Sequence, residues 1–354
     1  MSKIPISVCI IAKNEEKYIE ECLKKLRPYG FEIVVTDTGS TDRTKEIAAR
    51  YADKLLDFKW INDFSAARNY CAAHASNPWV LALDCDEYME SVNTEILCNQ
   101  MQQFPKQVGV IRMKNIQMRH GDNKGYSVDD LPRLYNREFY TFDRPIHEQI
   151  TLKNEETDTL QGFLMPMEVI HHGYAISKEE MIKKQQRNLE IMYEHIKLEP
   201  ENPYYYFQIG SSLQELEKYE DAIDMYQKGL SFHPSVNKAY VVEMITSLAC
   251  IYSDFGRKEE ALALMEEYLD KCTCANFVFT YANILFESNQ PLKAVMNYLK
   301  ATMMKDSNTL GERLLTCYER IIYIYQITGN EDLAKPFEQK YLECKAELER
   351  IVNK

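Results

Sequence analysis

Trp79-Val80-Leu81-Ala82-Leu83-Asp84-Cys85-Asp86-Glu87 is an apolar run that ends abruptly in two carboxylates two residues apart. In an extended backbone such residues point to the same side, roughly 6 to 7 Å apart, close enough to share one hard cation. An acidic pair at the carboxyl end of a buried strand is where an open α/β sheet places its ligand. Asp84 and Asp86 form the one Asp-x-Asp of the chain. Taken alone, the pair also reads as a solvated acidic turn, so the sequence on either side has to decide.

Strands and helices alternate around it. Ile6-Ser7-Val8-Cys9-Ile10-Ile11-Ala12 reads as a buried strand, and a helix follows from Asn14, its expected N-cap, with Ile19, Cys22, Leu23 and Leu26 on one face. A second strand, Phe31 to Thr36, runs into Asp37-Thr38-Gly39-Ser40-Thr41-Asp42, where Gly39 permits a tight turn and Ser40 or Thr41 can cap a helix carrying Ile47, Ala48 and Tyr51. Further strands at Trp79 to Leu83 and Val108 to Met113 continue the series. The βαβ pattern predicts a mostly parallel sheet with right-handed crossovers, and ligands gathering at the strand ends where Asp37 and Asp84 lie.

From about Ser177 the chain changes character and reads as almost entirely helical. Pro203 to Gly210, followed by Tyr219, Ala222, Tyr226 and Pro234, carries the aromatic, Gly, Ala and Pro positions of a tetratricopeptide repeat. Weaker units run through Ala249, Tyr252, Gly256 and Ala261, then Ala282, Leu285, Ala294 and Tyr298, then Ile322, Tyr325, Gly329 and Ala334. The last two also fit an irregular helical bundle. Such arrays hold partners rather than perform chemistry. Tyr204, Tyr205 and Tyr206 cannot all face one way on a helix that turns ~100° per residue, so at least one is expected to meet solvent, the sheet domain or a peptide.

Composition narrows the function classes. The chain has 354 residues, 45% of them hydrophobic, enough for two domains with sizeable cores. Its 42 basic and 54 acidic residues give a net charge of −12, which disfavours nucleic-acid binding. No apolar run approaches the ~20 residues of a transmembrane helix, and the start has no long apolar signal region. Ten scattered cysteines without paired metal-ligand spacing read as reduced, mostly buried thiols of a cytoplasmic protein.

Four segments together resemble a family 2 glycosyltransferase with the GT-A fold: the strand to Ala12 with Lys13-Asn14-Glu15-Glu16, the Asp37 to Asp42 turn, Phe64-Ser65-Ala66-Ala67-Arg68-Asn69, and Asp84-Cys85-Asp86. Arg144-Pro145-Ile146-His147-Glu148, Val169-Ile170-His171-His172-Gly173-Tyr174 and the attached repeats are similar to enzymes of the sublancin S-glycosyltransferase type, which modify a peptide cysteine. The fold this implies is α/β: a GT-A, Rossmann-like, mostly parallel sheet domain over residues 1–176, a linking helix over 177–202, and an all-α tetratricopeptide-like domain over 203–354.

The resemblance also implies roles. Ala12, Asn14, Asp37, Arg68, Asp84, Cys85, Asp86 and Arg133 would bind a UDP-sugar, with Asp37 on the uracil N3–H or the ribose. Asp86 and His171 would ligate Mn²⁺ or Mg²⁺, and Asp84 would contact ribose or a metal-bound water. Glu148, beside His147, would be the base that deprotonates a hydroxyl or thiol acceptor on a peptide, protein or glycan. Each residue has a plainer role: Asp37 can cap its turn, His171 can be structural with His172 easily mistaken for it, His147 and Glu148 can order a loop, and Arg68 and Arg133 can pair with acidic side chains. Lys13 is a weaker phosphate donor of the same kind. A homodimer is possible. A nucleotidyltransferase would share an acidic metal site, but no Gly-rich loop followed by Lys is present. A repeat scaffold with a degenerate site would explain the second half alone.

Overall fold

The computed structural model describes residues 4–118, 124–153, 160–172 and 178–352. It divides into two compact units, residues 1–176 and 177–354.

In the first unit the strands are β1 (Ile6–Ala12), β2 (Glu32–Asp37), β3 (Lys54–Asp57), β4 (Trp79–Leu83), β5 (Glu87–Val92), β6 (Val108–Met118), β7 (Lys124–Asn136), β8 (Tyr140–Asp143), β9 (Gln149–Leu152), β10 (Gly162–Leu164) and β11 (Met167–His171). Its helices are α1 (Ile19–Leu26), α2 (Thr44–Tyr51), α3 (Phe64–Ala73) and α4 (Thr94–Gln103). The main sheet runs β3-β2-β1-β4-β7-β6-β11-β5, with β10 added beside β6. β1, β2, β3 and β4 pair in parallel, as do β6, β10 and β11, while β7 is antiparallel to both β4 and β6, and β5 to β11. The strand expected at Val108 to Met113 extends to Met118, because its long antiparallel pairing with β7 supplies partners past the apolar stretch.

Both faces of the central strands are covered, which explains their near-continuous apolar sequence. Ile6, Val8 and Ile10 of β1 and Trp79, Leu81 and Leu83 of β4 pack in one cluster with residues of α1, α2 and α4; Cys9, Val80 and Ala82 point the other way, toward Cys71 and Ala72 of α3 and Phe142 and Ile150 of the β8–β9 ribbon. Alternation of period two thus divides each strand between two half-cores.

Helix starts differ from the expected ones. Asn14 is not the cap of α1, which begins at Ile19; Asn14 has a left-handed φ of 58°, and its Oδ1 accepts from the Thr41 N–H at 2.8 Å. Neither Ser40 nor Thr41 caps α2, which begins at Thr44 with Asp42 Oδ1 accepting the Thr44 N–H at 2.9 Å. Ser40 Oγ instead accepts the Asn14 N–H at 3.0 Å. The polar residues after β1 and β2 therefore tie two loops to each other rather than to their own helices.

At the opposite end of the sheet Glu32 is buried, accepting from the hydroxyl of Ser7, from Ser76 Oγ at 2.6 Å and Ser76 N–H at 2.7 Å, with Lys54 Nζ at 3.0 Å. Burial disfavours its charge, but the Ser7, Ser76 and Lys54 donors outweigh that and hold the carboxyl down at about 2. A carboxylate with a lowered folded-state pKa stabilises above its unfolded value, and that contribution is lost as pH falls through about 2. Glu32→Gln should lower stability by about 2 kcal/mol at neutral pH. In urea unfolding, the gap between wild type and variant should close as pH drops from about 5 toward 2.

The second unit consists of α5 (Lys178–Ile196), α6 (Pro203–Glu215), α7 (Tyr219–Leu230), α8 (Ala239–Asp254), α9 (Lys258–Tyr268), α10 (Ala275–Glu287), α11 (Pro291–Met303), α12 (Arg313–Ile327) and α13 (Glu331–Val352). From α6 onward the helices pack as successive hairpins, α6 on α7, α8 on α9, α10 on α11 and α12 on α13, with α5 packed on α6 inside the same unit. The small residues mark the crossings: a Cβ on Gly210 would stand 2.5 Å from the Tyr226 ring. Tyr204, Tyr205 and Tyr206 are all buried, so none of the three meets solvent. Tyr204 packs edge-on to Tyr240 of α8, Tyr205 stacks on His195 of α5, and Tyr206 meets Phe232 and donates to the Pro200 carbonyl at 2.8 Å. Neighbours on three sides of α6 accommodate all three rings.

Candidate active site

The Asp84-Cys85-Asp86 turn leaves the carboxyl end of β4 and leads into β5, which lies at the far edge of the sheet beside β11. That crossing brings Asp86 to His171 at the end of β11. His171 Nε2 lies 3.3 Å from Asp86 Oδ2, and the His172 N–H donates to the Asp86 carbonyl at 2.9 Å. His171 Nδ1 lies 3.0 Å from Oδ1 of the buried Asn115, whose Nδ2 donates to Asp129 Oδ2 at 2.5 Å. Since an amide oxygen only accepts, Nδ1 carries the proton, and in the neutral ring the Nε2 lone pair faces a carboxylate oxygen. Two lone pairs at 3.3 Å repel each other, and a positive charge between them relieves that repulsion. Burial disfavours a charged ring, but Asp86 outweighs it and raises the pKa of His171 above the ordinary histidine value. With a proton as that charge, the pair stabilises the fold below the unfolded pKa, an effect lost as pH rises through the raised value. Of the segment holding His171, residues Gly173 and Tyr174 lie outside the described residues.

Asp84 faces two arginines. Arg68, buried on α3, donates Nη2–H to Asp84 Oδ1 at 2.7 Å and Nε–H to Glu148 Oε1 at 2.6 Å. Arg133 of β7 donates to Asp84 Oδ2 at 3.4 Å and to the buried Glu87. Burial alone would raise the Asp84 pKa; the two guanidinium groups outweigh it and hold the carboxyl well below the usual range. Glu87 Oε2 accepts the Asp84 N–H at 3.0 Å, and burial, against the pull of Arg133, pushes its carboxyl up to about 7. Among the described residues, Arg68 Nη1 and Arg133 Nε are buried donors without a partner. The arginines therefore pair with acidic side chains and still hold donors in reserve.

The remaining expected site residues fall into two groups. Ala12 and Asp37 are register partners at the ends of β1 and β2; β2 stands two strands from β4, which sets Asp37 roughly 10 Å from the end of that strand. Asp37 Oδ1 accepts the N–H groups of Gly39, where φ is 105°, and of Ser40, each at 3.0 Å. Its Oδ2 is buried and without a partner among the described residues. Turn capping thus accounts for one oxygen only. Glu148 joins the network through Arg68, while His147 beside it has a left-handed φ of 52° in a loop pinned to α3 by the Phe64 N–H on the Pro145 carbonyl at 2.7 Å. Cys85 does not face the site: its thiol is buried and directed at the Ile11 carbonyl, 3.7 Å away.

Sequence reasoning missed Asn115, Asp129 and Glu87. Asn115 and Asp129 are invisible without the register that sets β6 beside both β7 and β11. Glu87 was legible as the next acid after Asp86, in the first position of β5. Among the described residues no three His, Cys, Asp or Glu side chains form a complete metal-ligand group. A cavity of about 650 Å³ lined by Asn69, Ser76, Pro78, Arg137 and Lys153 lies at the amino-terminal end of β4, away from this network.

A mostly parallel sheet whose strand ends gather a carboxylate turn, one buried and one part-buried arginine and a half-satisfied aspartate has the arrangement of an α/β enzyme domain. Residues 7–170 match the family model described as glycosyl transferase family 2, and residues 203–235 match a tetratricopeptide repeat. The chain thus carries a family 2 glycosyltransferase domain, followed by a tetratricopeptide repeat.

The chain is 26% identical over 333 residues to the SPbeta prophage-derived glycosyltransferase SunS of Bacillus subtilis, covering 91% of this chain and 76% of that protein. It is 30% identical over 215 residues to the TPR repeat-containing protein Synpcc7942_0270 of Synechococcus elongatus, covering 59% of this chain and 52% of that one. A shorter match, 30% over 99 residues, is to the lipopolysaccharide core biosynthesis glycosyltransferase LpsC of Rhizobium meliloti, covering 27% of this chain and 36% of that protein. No helix among the described residues is long and apolar enough to cross a membrane.

Proposed function

We propose that the protein is a metal-dependent, inverting glycosyltransferase that moves a sugar from a UDP-sugar to a peptide or protein side chain. The observation that carries this reading is the opposition of Asp86 Oδ2 and His171 Nε2 at 3.3 Å, at the end of a strand where two arginines also converge. Carboxylate and imidazole together suit Mn²⁺, and carboxylate with donor oxygens suits Mg²⁺. A cation bound there would neutralise the diphosphate as it departs. Asp86 and His171 would hold such a cation together with the donor diphosphate, so two protein ligands would be enough.

The chain's own groups divide the rest of the work. Asp37 Oδ2 accepts a hydrogen bond from the uracil N3–H or the ribose. Arg68 Nη1 and Arg133 Nε donate to phosphate oxygens. Glu148, held by Arg68, takes the proton of the acceptor as its oxygen or sulfur attacks the anomeric carbon; the bond from that carbon to UDP breaks on the opposite face. A thiol acceptor needs less help from this base than a hydroxyl. The helical repeats bind the acceptor chain. Similarity to SunS over most of both chains supports a peptide acceptor, whereas the shorter match to LpsC supports a glycan. Ten cysteines outside any disulfide suit a reducing, cytoplasmic setting.

Asp37→Ala is the test of the donor pocket. Titration calorimetry should show UDP affinity falling by about 10-fold or more, the scale of leaving a buried donor group unpaired. Unchanged affinity would remove Asp37 from the site.

A further inference from the structure

Asn115 was not among the expected site residues, yet it occupies a decisive position. It is the register partner of His171 on the adjacent parallel strand, and its side chain is buried. Four distant segments meet there in a row: Asp129 Oδ2 accepts from Asn115 Nδ2 at 2.5 Å, Asn115 Oδ1 faces His171 Nδ1 at 3.0 Å, and His171 Nε2 faces Asp86 Oδ2 at 3.3 Å. Each step fixes the next. A carboxylate can only accept, so Asp129 requires the amide nitrogen of Asn115 on its side and turns the amide oxygen toward the histidine. That oxygen requires a proton on Nδ1, which leaves the Nε2 lone pair directed at Asp86. In the alternative tautomer Nε2–H would donate to Asp86 and occupy the space between them.

We propose that Asn115, oriented by Asp129, is a positioning residue that locks His171 in the Nδ1–H tautomer and so keeps the Asp86–His171 slot open for a divalent cation. What fills the slot rests on the metal-dependent reading of the site; the first step, the tautomer, does not. Partners of this kind behind a ligating histidine change metal affinity by about 10- to 100-fold when removed.

The test uses the full chain with ¹⁵N-labelled histidine and no added metal, at a pH high enough for a neutral ring. Long-range ¹H–¹⁵N NMR should place the His171 proton on Nδ1 in wild type and move it to Nε2 in Asn115→Leu. Mn²⁺ titrated in the presence of UDP and followed by the EPR signal of the free ion should bind about 10- to 100-fold more weakly to Asn115→Leu. The exchange pair Asn115→Asp with Asp129→Asn rebuilds the same row of hydrogen bonds and should return both readouts to within a few-fold of wild type. If Asn115→Leu fails to fold, Asn115→Ser carries the same comparison. A variant that keeps the Nδ1–H tautomer and wild-type Mn²⁺ affinity overturns the proposal. A wild type that binds no Mn²⁺ with UDP overturns the metal reading instead, while the tautomer still decides the role of Asn115.

Discussion

Asp86→Ala is expected to reduce sugar transfer by about 10³-fold or more, the scale on which removing a group that stabilises transition-state charge acts. Asp86 is about a quarter exposed and its carboxylate opposes His171, so its loss would remove one of the two proposed metal ligands without opening the core. Circular dichroism and the urea midpoint should stay close to wild type. Asp84→Ala should weaken transfer less, since it removes one partner from each of Arg68 and Arg133 while Glu148 and Glu87 still hold them. Full activity of Asp86→Ala in the presence of EDTA would refute the assignment.

Arg68→Met should damage both stability and activity. Arg68 is 6% exposed and holds Asp84 and Glu148 through two hydrogen bonds of 2.7 and 2.6 Å. Removing one member of a buried ion pair costs about 3 to 5 kcal/mol because the partner is left uncompensated. Here Asp84 is about a third exposed and retains Arg133, so about 3 kcal/mol is the expected loss in urea unfolding. Transfer should fall further than stability explains, because Glu148 loses the group that orients it. Arg68→Lys keeps a charge but cannot reach both carboxylates in a fixed fork, so it should recover stability more than turnover. Equal recovery of both would make Arg68 structural.

Much of this was legible in the chain. Ile6 to Ala12 and Trp79 to Leu83 are apolar throughout because both faces of their strands are buried, and a run of that kind bounded by polar turns reads directly as a central strand. The carboxylates at the ends of β2 and β4 followed from the same pattern. Helix starts were not legible: Asn14, Ser40 and Asp42 have the chemistry of caps, but all three bond across to the neighbouring loop, a choice that tertiary contact makes. Tyr204 to Tyr206 misled for a related reason, since a helix packed on three sides has no solvent face to which the usual amphipathic argument applies. Asn115 and Asp129 were out of reach, because their meaning depends on strand register, which no local spacing specifies.

The most direct measurement is the release of UDP from a panel of UDP-sugars by the full chain, followed by mass spectrometry with Mn²⁺ and again with EDTA. A metal-dependent transferase should hydrolyse at least one donor slowly with Mn²⁺ and lose that activity in EDTA, and Asp86→Ala should lack it under both conditions. Release that is equal with Mn²⁺ and EDTA, or that survives in Asp86→Ala, would contradict the metal-dependent mechanism.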